Sequence, residues 1–578
     1  MVGLLYFQEI ALCLSTLLML IPWIILLDRI ENLREFKIYI LLLLGLLMRL
    51  IYAPFFGHSY DIEMGLSAVD DLLQGKSPYY EDPYYNHPHG PLEYLTLTLV
   101  ILLLGRNYFA FKFASIISEV VLGFVIYKIS IEYTSNERLA YWAAALFLTN
   151  PWTYFQTVIV GHLDAMPTLF MVLTIYLLIK ERPKLSALAL GCGVMYKLFP
   201  IVILPVVVLF LARQKRWQHI IEYIVITVII ASIISLPFLI LSFDFYISVL
   251  LATGGIRGLS IYRVLFYLVP RIGISINTRL VSTSIMGAGM IIALLIFIKR
   301  GATNLKFGLL EESTFFFLIF ILLNRYLSEH YIVWTIPFLV IYFLVKPNSP
   351  QLVDMVLYYS YTCAVFFYRV VKWRVWFSLY DDFGFVFFSI FLVSILFWHL
   401  IGWLIAIRFF RKNLPSEISD SFKKILVKLT KWLHLGEKKN KIVRLRSYIT
   451  ISSLQIDFSI FYGAIIVGMI IVMFIFQGKT DVSFEVFIFP IILLSVLISA
   501  LLRTGLLIPG IRTSNAIYTF INFWIIYMFE VGIYFHTDLL TILTRSFLIA
   551  LSSSLGYILI SLIESFRRGE SLIDLIFR

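Results

Sequence analysis

The sequence predicts an all-α fold, a polytopic bundle of transmembrane helices, and three observations carry that prediction. The chain is 60% hydrophobic and only 14% charged, where a soluble domain carries about a quarter charged residues. Runs such as 4–27, 219–241 and 455–476 reach or exceed the roughly 20 apolar residues that cross a bilayer. Lys and Arg gather in short clusters between those runs, which is how cytoplasmic loops are marked. The mean hydropathy of +0.91 agrees. A β-barrel is excluded, because its strands would alternate apolar and polar residues.

Each element follows in order. Residues 1–36 read as an extra N-terminal span with its N-terminus outside. No positive charge precedes the apolar run, and the run is too long for a signal peptide. Basic clusters at 29–37, 128–138, 180–184, 213–216, 299–306, 346 and 411–446 place those loops in the cytoplasm. The stretches 55–108, 158–164, 242–278, 325–330 and 372–383 then fall outside. Residues 91–104 are short for a span and fit an interfacial or re-entrant piece. Residues 184–211 lie between two basic clusters and contain Gly191, Gly193, Pro200 and Pro205. A re-entrant hairpin of two broken half-helices keeps the topology consistent, and broken helices are tolerated where they are buried in protein or line a cavity. The count comes to about fifteen spans plus this hairpin.

The net charge of +12 is local. Residues 411–446 hold eleven Lys and Arg against three acids, a net +8. Ile418, Phe422, Ile425, Leu426, Leu429, Trp432 and Leu433 recur there at helical spacing. The segment 411–450 is therefore expected to be a basic amphipathic cytoplasmic linker on anionic headgroups. The partners expected from this charge are membrane lipids, not nucleic acid. Residues 37–410 form the expected working core, and 451–578 an accessory four-helix membrane module. Cys13, Cys192 and Cys363 are scattered in apolar context, which gives neither a disulfide framework nor a metal spacing.

Against this background the stretch "HSYDIEMGLSAVDDLLQGKSPYY" (58–80) stands out. It holds four acids and one Lys between apolar runs. Five of nine histidines, His58, His87, His89, His162 and His330, lie in the outer stretches. Asp61, Glu63, Asp164 and Glu329 join them. Outer loops are polar in any membrane protein, which accounts for single histidines. One aqueous chamber lined by acids and imidazoles accounts for all of them together. His58, Asp61 and Glu63 are the leading candidates for a divalent ion, Mg or Mn, with His87, His89, His162 and Asp164 of suitable ligand type. No spacing forces such a site, and no other cofactor is expected.

The segment "YDIEMGLSAVDDLLQGKSPYYEDPYYNHPHGPLEYL" resembles the first outer loop of the C-superfamily membrane glycosyltransferases. There an acidic pair follows the first core span. It is most similar to the GPI-anchor mannosyltransferases and the bacterial polyprenol-phosphate-mannose-dependent mannosyltransferases, whose "G-x-SPY" segment is matched by "GKSPYY" (75–80). Further likenesses follow in order: Asn150-Pro151 before "GHLDAMPTLF" (161–170), "GVMYKLFPIVILP" (193–205), "GLSIYRVLFYL" (258–268) and "SEHYIVWTIPFL" (328–339). They cover about 50–370. Glu63 stands where the GPI enzyme has Asp. Residues 1–36 and 411–578 inherit nothing.

The resemblance implies an inverting transferase. A hexose, mannose in the first instance, would pass from a polyprenyl- or dolichyl-phosphate donor to a glycolipid or glycan acceptor on the extracytoplasmic face. Asp61 would be the general base, taking the proton of a weakly nucleophilic hydroxyl as it attacks. Glu63 would orient it, bind sugar or hold a cation. Lys197, Arg257, Arg263 and Arg325 are the candidates for the departing phosphate, and His330 resembles an imidazole placed beside it. Tyr60, Tyr79, Tyr80, His162 and Asp164 are the candidates for sugar and acceptor. Two other readings share the hydropathy: a flippase of lipid-linked sugars, and a non-catalytic scaffold. A transporter keeps its ionisable residues at the midplane of repeated halves. Here they gather in outer loops and no halves are evident.

Overall fold

The structure, a computed structural model, describes residues 36–79, 89–251, 257–268, 277–300, 305–345 and 384–411, with residues 24, 27, 28 and scattered positions in 354–369. The chain divides into two compact units, 1–37 with 445–578 and 38–444. The described residues lie almost wholly in the second. Apart from residues 24, 27, 28, 36 and 411, the expected N-terminal span and the basic linker lie outside the described residues, as do the accessory module, Tyr80 and His87.

Helix α1 (Lys37–Tyr52) leads to the acidic stretch, which is helical: α2 spans Ser59–Leu73. Then come α3 (Pro91–Leu104), α4 (Tyr108–Thr134) and α5 (Glu137–Leu148). Helices α4 and α5 open on asparagine caps, since Asn107 Oδ1 accepts from Ala110 N and Asn136 Oδ1 from Leu139 N. Such caps satisfy donors that a first turn leaves without partners. Next are α6 (Ala165–Ile179), α7 (Pro183–Tyr196), α8 (Leu204–Arg213) and α9 (Trp217–Leu251). Helices α10 (Ile261–Leu268), α11 (Thr278–Arg300), α12 (Leu305–Leu323), α13 (Ile336–Val345) and α14 (Gly384–Arg411) follow. Helix α7 packs on α6 and α9, and α4 packs on α5 and α6.

Among the described residues, Tyr108–Thr134, Trp217–Ile247 and Thr278–Lys299 are long and apolar enough to cross a membrane. Five shorter apolar helices accompany them, including Pro91–Leu104, the piece expected to fall short of a span. The protein is an integral membrane protein. The stretch 184–211 is broken in its middle. Helix α7 ends at Tyr196, Lys197 is extended (φ −161°, ψ 144°), and a 3-10 turn at Phe199–Ile203 leads into α8.

Two expectations change. The outer stretch 242–278 is not a plain loop. Helicity resumes after a kink at Ser242 (φ −159°, ψ 61°) and runs to Leu251, because "FDFYISVLL" stays apolar beyond the break. The fold is also not purely helical. Arg257–Gly258 pairs in parallel with Tyr326–Leu327. Gly258 permits this close approach, having φ +65°, and a Cβ there would lie 1.9 Å from the Leu327 carbonyl oxygen.

Deep in the bundle, Arg49 of α1 and Glu119 of α4 form a buried ion pair at 2.8 Å. The guanidinium also donates to the carbonyls of Gly45 and Leu148. Arg213 grips Glu312 with two contacts of 2.9 and 2.8 Å.

Candidate active site

The site begins with how α2 is seated. Ile62, Leu66 and Val69 recur at i, i+4 and i+7, and all three are buried against Leu97, Phe111, Leu163 and Met166. Each fully buried aliphatic side chain contributes about 1.5–3 kcal/mol, so this stripe sets how α2 is turned. Asp61 and Glu63 flank Ile62 on opposite sides, because residues two apart on a helix do not share a face. Glu63 is exposed and pairs with Arg106 at 3.3 Å, beside the Arg106–Asp70 pair at 3.0 Å. Such surface pairs contribute at most about 1 kcal/mol. The structure therefore does not bring Glu63 to Asp61, and Asp61, Glu63 and His58 do not converge as a cation site.

Asp61 turns the other way. Its Oδ2 lies 3.0 Å from His58 Nδ1. Partial burial works against its ionised form, but the His58 hydrogen bond, with the imidazoles of His162 and His330, outweighs this. The carboxyl is held below the usual carboxylate range.

What places those imidazoles is the turn after α5. Asn150 caps a short helix (Pro151–Tyr154) by accepting from Trp152 N and Thr153 N, and Pro151 suits its first position. The chain then widens into a π-turn, Phe155–Val160, a distortion frequent at functional sites. Gly161 closes it with φ +94°, and the Gly161 and His162 amides both donate to Gln156 O. Two braces tie this turn to the approach of α2. His58 N donates to Val160 O at 2.8 Å. Buried Lys112 donates to Phe56 O at 2.6 Å and to Val158 O at 2.9 Å.

Asp164 follows the turn and is 2% exposed. Its Oδ1 accepts from Lys197 Nζ and from Trp334 Nε1, both at 2.7 Å. Lys197 is at the break after α7, and its Nζ also lies over the rings of Tyr331 and Trp334, 5.1 and 5.5 Å from their centroids. His330 Nε2 is 3.9 Å from Asp164 Oδ2, and the His162 and His330 rings stack with centroids 4.1 Å apart. Burial and the neighbouring His330 lower the His162 pKa well below the ordinary imidazole range. Residues from four separated stretches, 58–61, 162–164, 197 and 330–334, thus meet at one place.

Arg325 lies five residues before His330 in the chain. It is 9% exposed and, among the described residues, has neither a hydrogen bond nor an ion pair. Burial, and Arg279 nearby, push its pKa down. The backbone of Arg257 is paired with Tyr326, the next residue. Arg263 instead lies over Phe391, 4.7 Å from its centroid. Tyr60 is exposed. Tyr79 belongs to an aromatic core with Tyr94, Phe238 and Tyr246, and its hydroxyl donates to His89 O. The structure leaves Tyr79 in that core, because its ring is more completely buried by packing than a sugar platform could be.

Comparison with known proteins adds the following. Residues 91–323 match the family model of glycosyltransferase family 87. GPI mannosyltransferase 1 of Candida albicans is 27% identical over 147 residues, 25% of this chain and 35% of that protein. Its Saccharomyces cerevisiae counterpart is 26% identical over 159 residues, 26% of this chain and 36% of that protein. The match spans about a third of the length of these curated relatives. Among solved structures, ArnT from Cupriavidus metallidurans bound to undecaprenyl phosphate is similar over 65% of this chain and 76% of that one. The identity there is 14% and the TM-score 0.40. The family model is one of glycosyltransferases and the two curated relatives are mannosyltransferases, in line with the resemblance carried by the motifs. The family match includes His162, Asp164, Lys197, Arg257 and Arg263. It stops short of Asp61 on one side and of Arg325 and His330 on the other.

Four contributors were missed in the sequence: Trp334, Tyr331, Arg279 and Ser328, whose hydroxyl is bonded to His330 Nδ1 at 2.9 Å. Tyr331 and Trp334 fall inside the segment 328–339 that carries part of the family likeness, but nothing there assigned them a role in a chain that is 17% aromatic. Ser328 did have one, its position two residues before an outer histidine.

Proposed function

We propose that this pocket transfers a hexose, mannose in the first instance, from a polyprenyl- or dolichyl-phosphate donor to a hydroxyl of a glycolipid or glycan acceptor on the extracytoplasmic side. The observation that carries this reading is the convergence of a partly exposed carboxylate, Asp61, on the polar cluster of His162, Asp164, Lys197 and His330. A buried guanidinium without an anionic partner among the described residues lies five residues along the same chain segment.

In the reaction, the acceptor oxygen attacks the anomeric carbon as its bond to the phosphate oxygen breaks. The acceptor proton passes to Asp61, and the lipid phosphate leaves as an anion. A single displacement inverts the anomeric configuration. Asp61 is ionised at neutral pH and is a weak base, so it takes the proton only as the hydroxyl oxygen becomes positive during attack. His58, with Nδ1 3.0 Å from the Asp61 carboxylate, orients it. Arg325 is the better grip for the phosphate, because Lys197 is already neutralised by Asp164. A buried guanidinium with no counterion carries a penalty of several kcal/mol, and an arriving phosphate relieves it while forming bidentate hydrogen bonds. Holding the two substrates together supplies much of the remaining acceleration.

Purified protein incubated with a panel of polyprenyl-phosphate sugars, with mass spectrometry of lipid and glycan acceptors, tests the reading. Addition of one hexose from the mannose donor is expected. Donor crossing the bilayer of a reconstituted vesicle with no transfer to any acceptor would support the flippase instead.

A further inference from the structure

Asp164 has two carboxylate oxygens in contrasting circumstances. Oδ1 is saturated by Lys197 and Trp334. Oδ2 is buried and has no hydrogen-bond partner. An unsatisfied carboxylate oxygen is among the costlier things to bury. The atom nearest it in the cluster is His330 Nε2, at 3.9 Å, beyond hydrogen-bond range. His162 completes the group: one ligand-type atom each from His162, Asp164 and His330 lies within 4.8 Å of the others.

From this we infer that His162, Asp164 and His330 bind a divalent first-row metal ion, Zn2+ in the first instance. Two imidazoles and one carboxylate are a donor set suited to Zn2+. Two bonds of about 2.1 Å at a tetrahedral angle set ligand atoms about 3.4 Å apart, so the 3.9 Å between Nε2 and Oδ2 has to close by about half an ångström when the ion binds. The supporting contacts have the form that metal sites use. Lys197 and Trp334 hold Oδ1, so the carboxylate presents Oδ2 alone. The Ser328 hydroxyl engages His330 Nδ1, which leaves Nε2 as the coordinating nitrogen. Charge agrees as well. Asp61 and Asp164 face one ammonium, Lys197, so a divalent ion turns the local balance from −1 to +1, the sign suited to a phosphate. The ligand set differs from the acidic Asp61–Glu63 pair, whose members point apart.

The inference concerns the same pocket as the proposed transfer, and its test is read without any donor. The full chain, purified in detergent and stripped with chelator, is equilibrated with Zn2+ and assayed by elemental analysis and by competition with a chromophoric chelator. One ion per chain is expected. Affinity should fall at least ~10-fold in His330→Gln and His162→Gln, and ~10-fold or more in Ser328→Ala, which removes only an outer contact. His89→Ala, whose imidazole bonds Glu93 instead, should bind as the wild type. Added Zn2+ should raise the unfolding temperature of the wild type and not of His330→Gln, which reads binding in any variant that still folds. Less than one-tenth of an ion per chain, or unchanged affinity in all three variants, would overturn the inference. Metal bound without hexose transfer from any donor leaves this site standing and removes the transfer reading. Hexose transfer by a protein that takes up less than one-tenth of an ion per chain does the reverse.

Discussion

Two buried charge clusters share this bundle, and they differ in how much of each reaches solvent. Arg49 and Glu119 are 0% and 1% exposed; the guanidinium donates to the carboxylate and two carbonyls, leaving Arg49 Nε and Glu119 Oε2 without hydrogen bonds. Asp164 is as deeply buried and likewise has one oxygen without a hydrogen bond. The groups around it, Asp61, His58 and His330, keep 39%, 28% and 17% of their side-chain surface exposed. The first cluster is closed and joins two helices. The second is open on one side. Burial and unsatisfied polar atoms do not by themselves mark a working site, since both clusters have them; the route to water is what sets the second apart.

The largest way to break this comparison is at Asp61. Asp61→Asn should reduce hexose transfer by about 10²–10⁴-fold and leave thermal unfolding within a few degrees of the wild type, because Asp61 is a pocket residue on a helix held by Ile62, Leu66 and Val69. Glu119→Ala should do the opposite. It should cost about 3–5 kcal/mol of stability by stranding a buried guanidinium, read as a lower unfolding temperature, with transfer per folded molecule unchanged. Equal loss of rate per folded molecule in both variants would erase the distinction.

Arg325→Gln sharpens it. Transfer should fall by about 10²-fold, the effect of removing one oxyanion donor, while the substrate-free protein becomes no less stable, since the buried charge lost has no anionic partner among the described residues. A large drop in unfolding temperature would mean that Arg325 is structural. The pH profile is a milder test. Asp61 has a folded-state pKa below its unfolded value. Its ionised form therefore adds to stability above the unfolded pKa, and this is lost only as pH falls through the lowered value. The acid limb of transfer should likewise lie below the ordinary carboxylate range. A limb near pH ~6.5, where free imidazole titrates, would assign the base to a histidine instead. The smallest effect is expected at the surface pair: Glu63→Gln should change rate by less than about threefold, as exposed ion pairs contribute little.

Much of the pocket was legible because polar residues are rare in so apolar a chain. Asp61, His162, Asp164, Lys197 and His330 stood out in outer stretches or at a helix break, and the broken hairpin followed from Gly191, Gly193, Pro200 and Pro205. Their pairing was not legible. Nothing in the spacing of 164 and 197 says that a break after Tyr196 swings Lys197 onto Asp164. Glu63 was grouped with Asp61 because the two are neighbours in the chain, and only the helical seating of α2 separates them. Tyr79 and Trp334 exchanged roles for the same reason. An aromatic residue reads alike in sequence whether it lies in a core, as Tyr79 does, or binds a carboxylate, as the Trp334 indole does.

Where the donor headgroup binds is the most direct test of the account. A polyprenyl-phosphate mannose carrying a photoreactive group beside the phosphate, crosslinked in the intact membrane and mapped by peptide mass spectrometry, reports the site. Label on peptides containing 257–263 and 325–334, diminished in Arg325→Gln, is the predicted result. Label confined to peptides from the basic cytoplasmic clusters, or unchanged by that substitution, would contradict it.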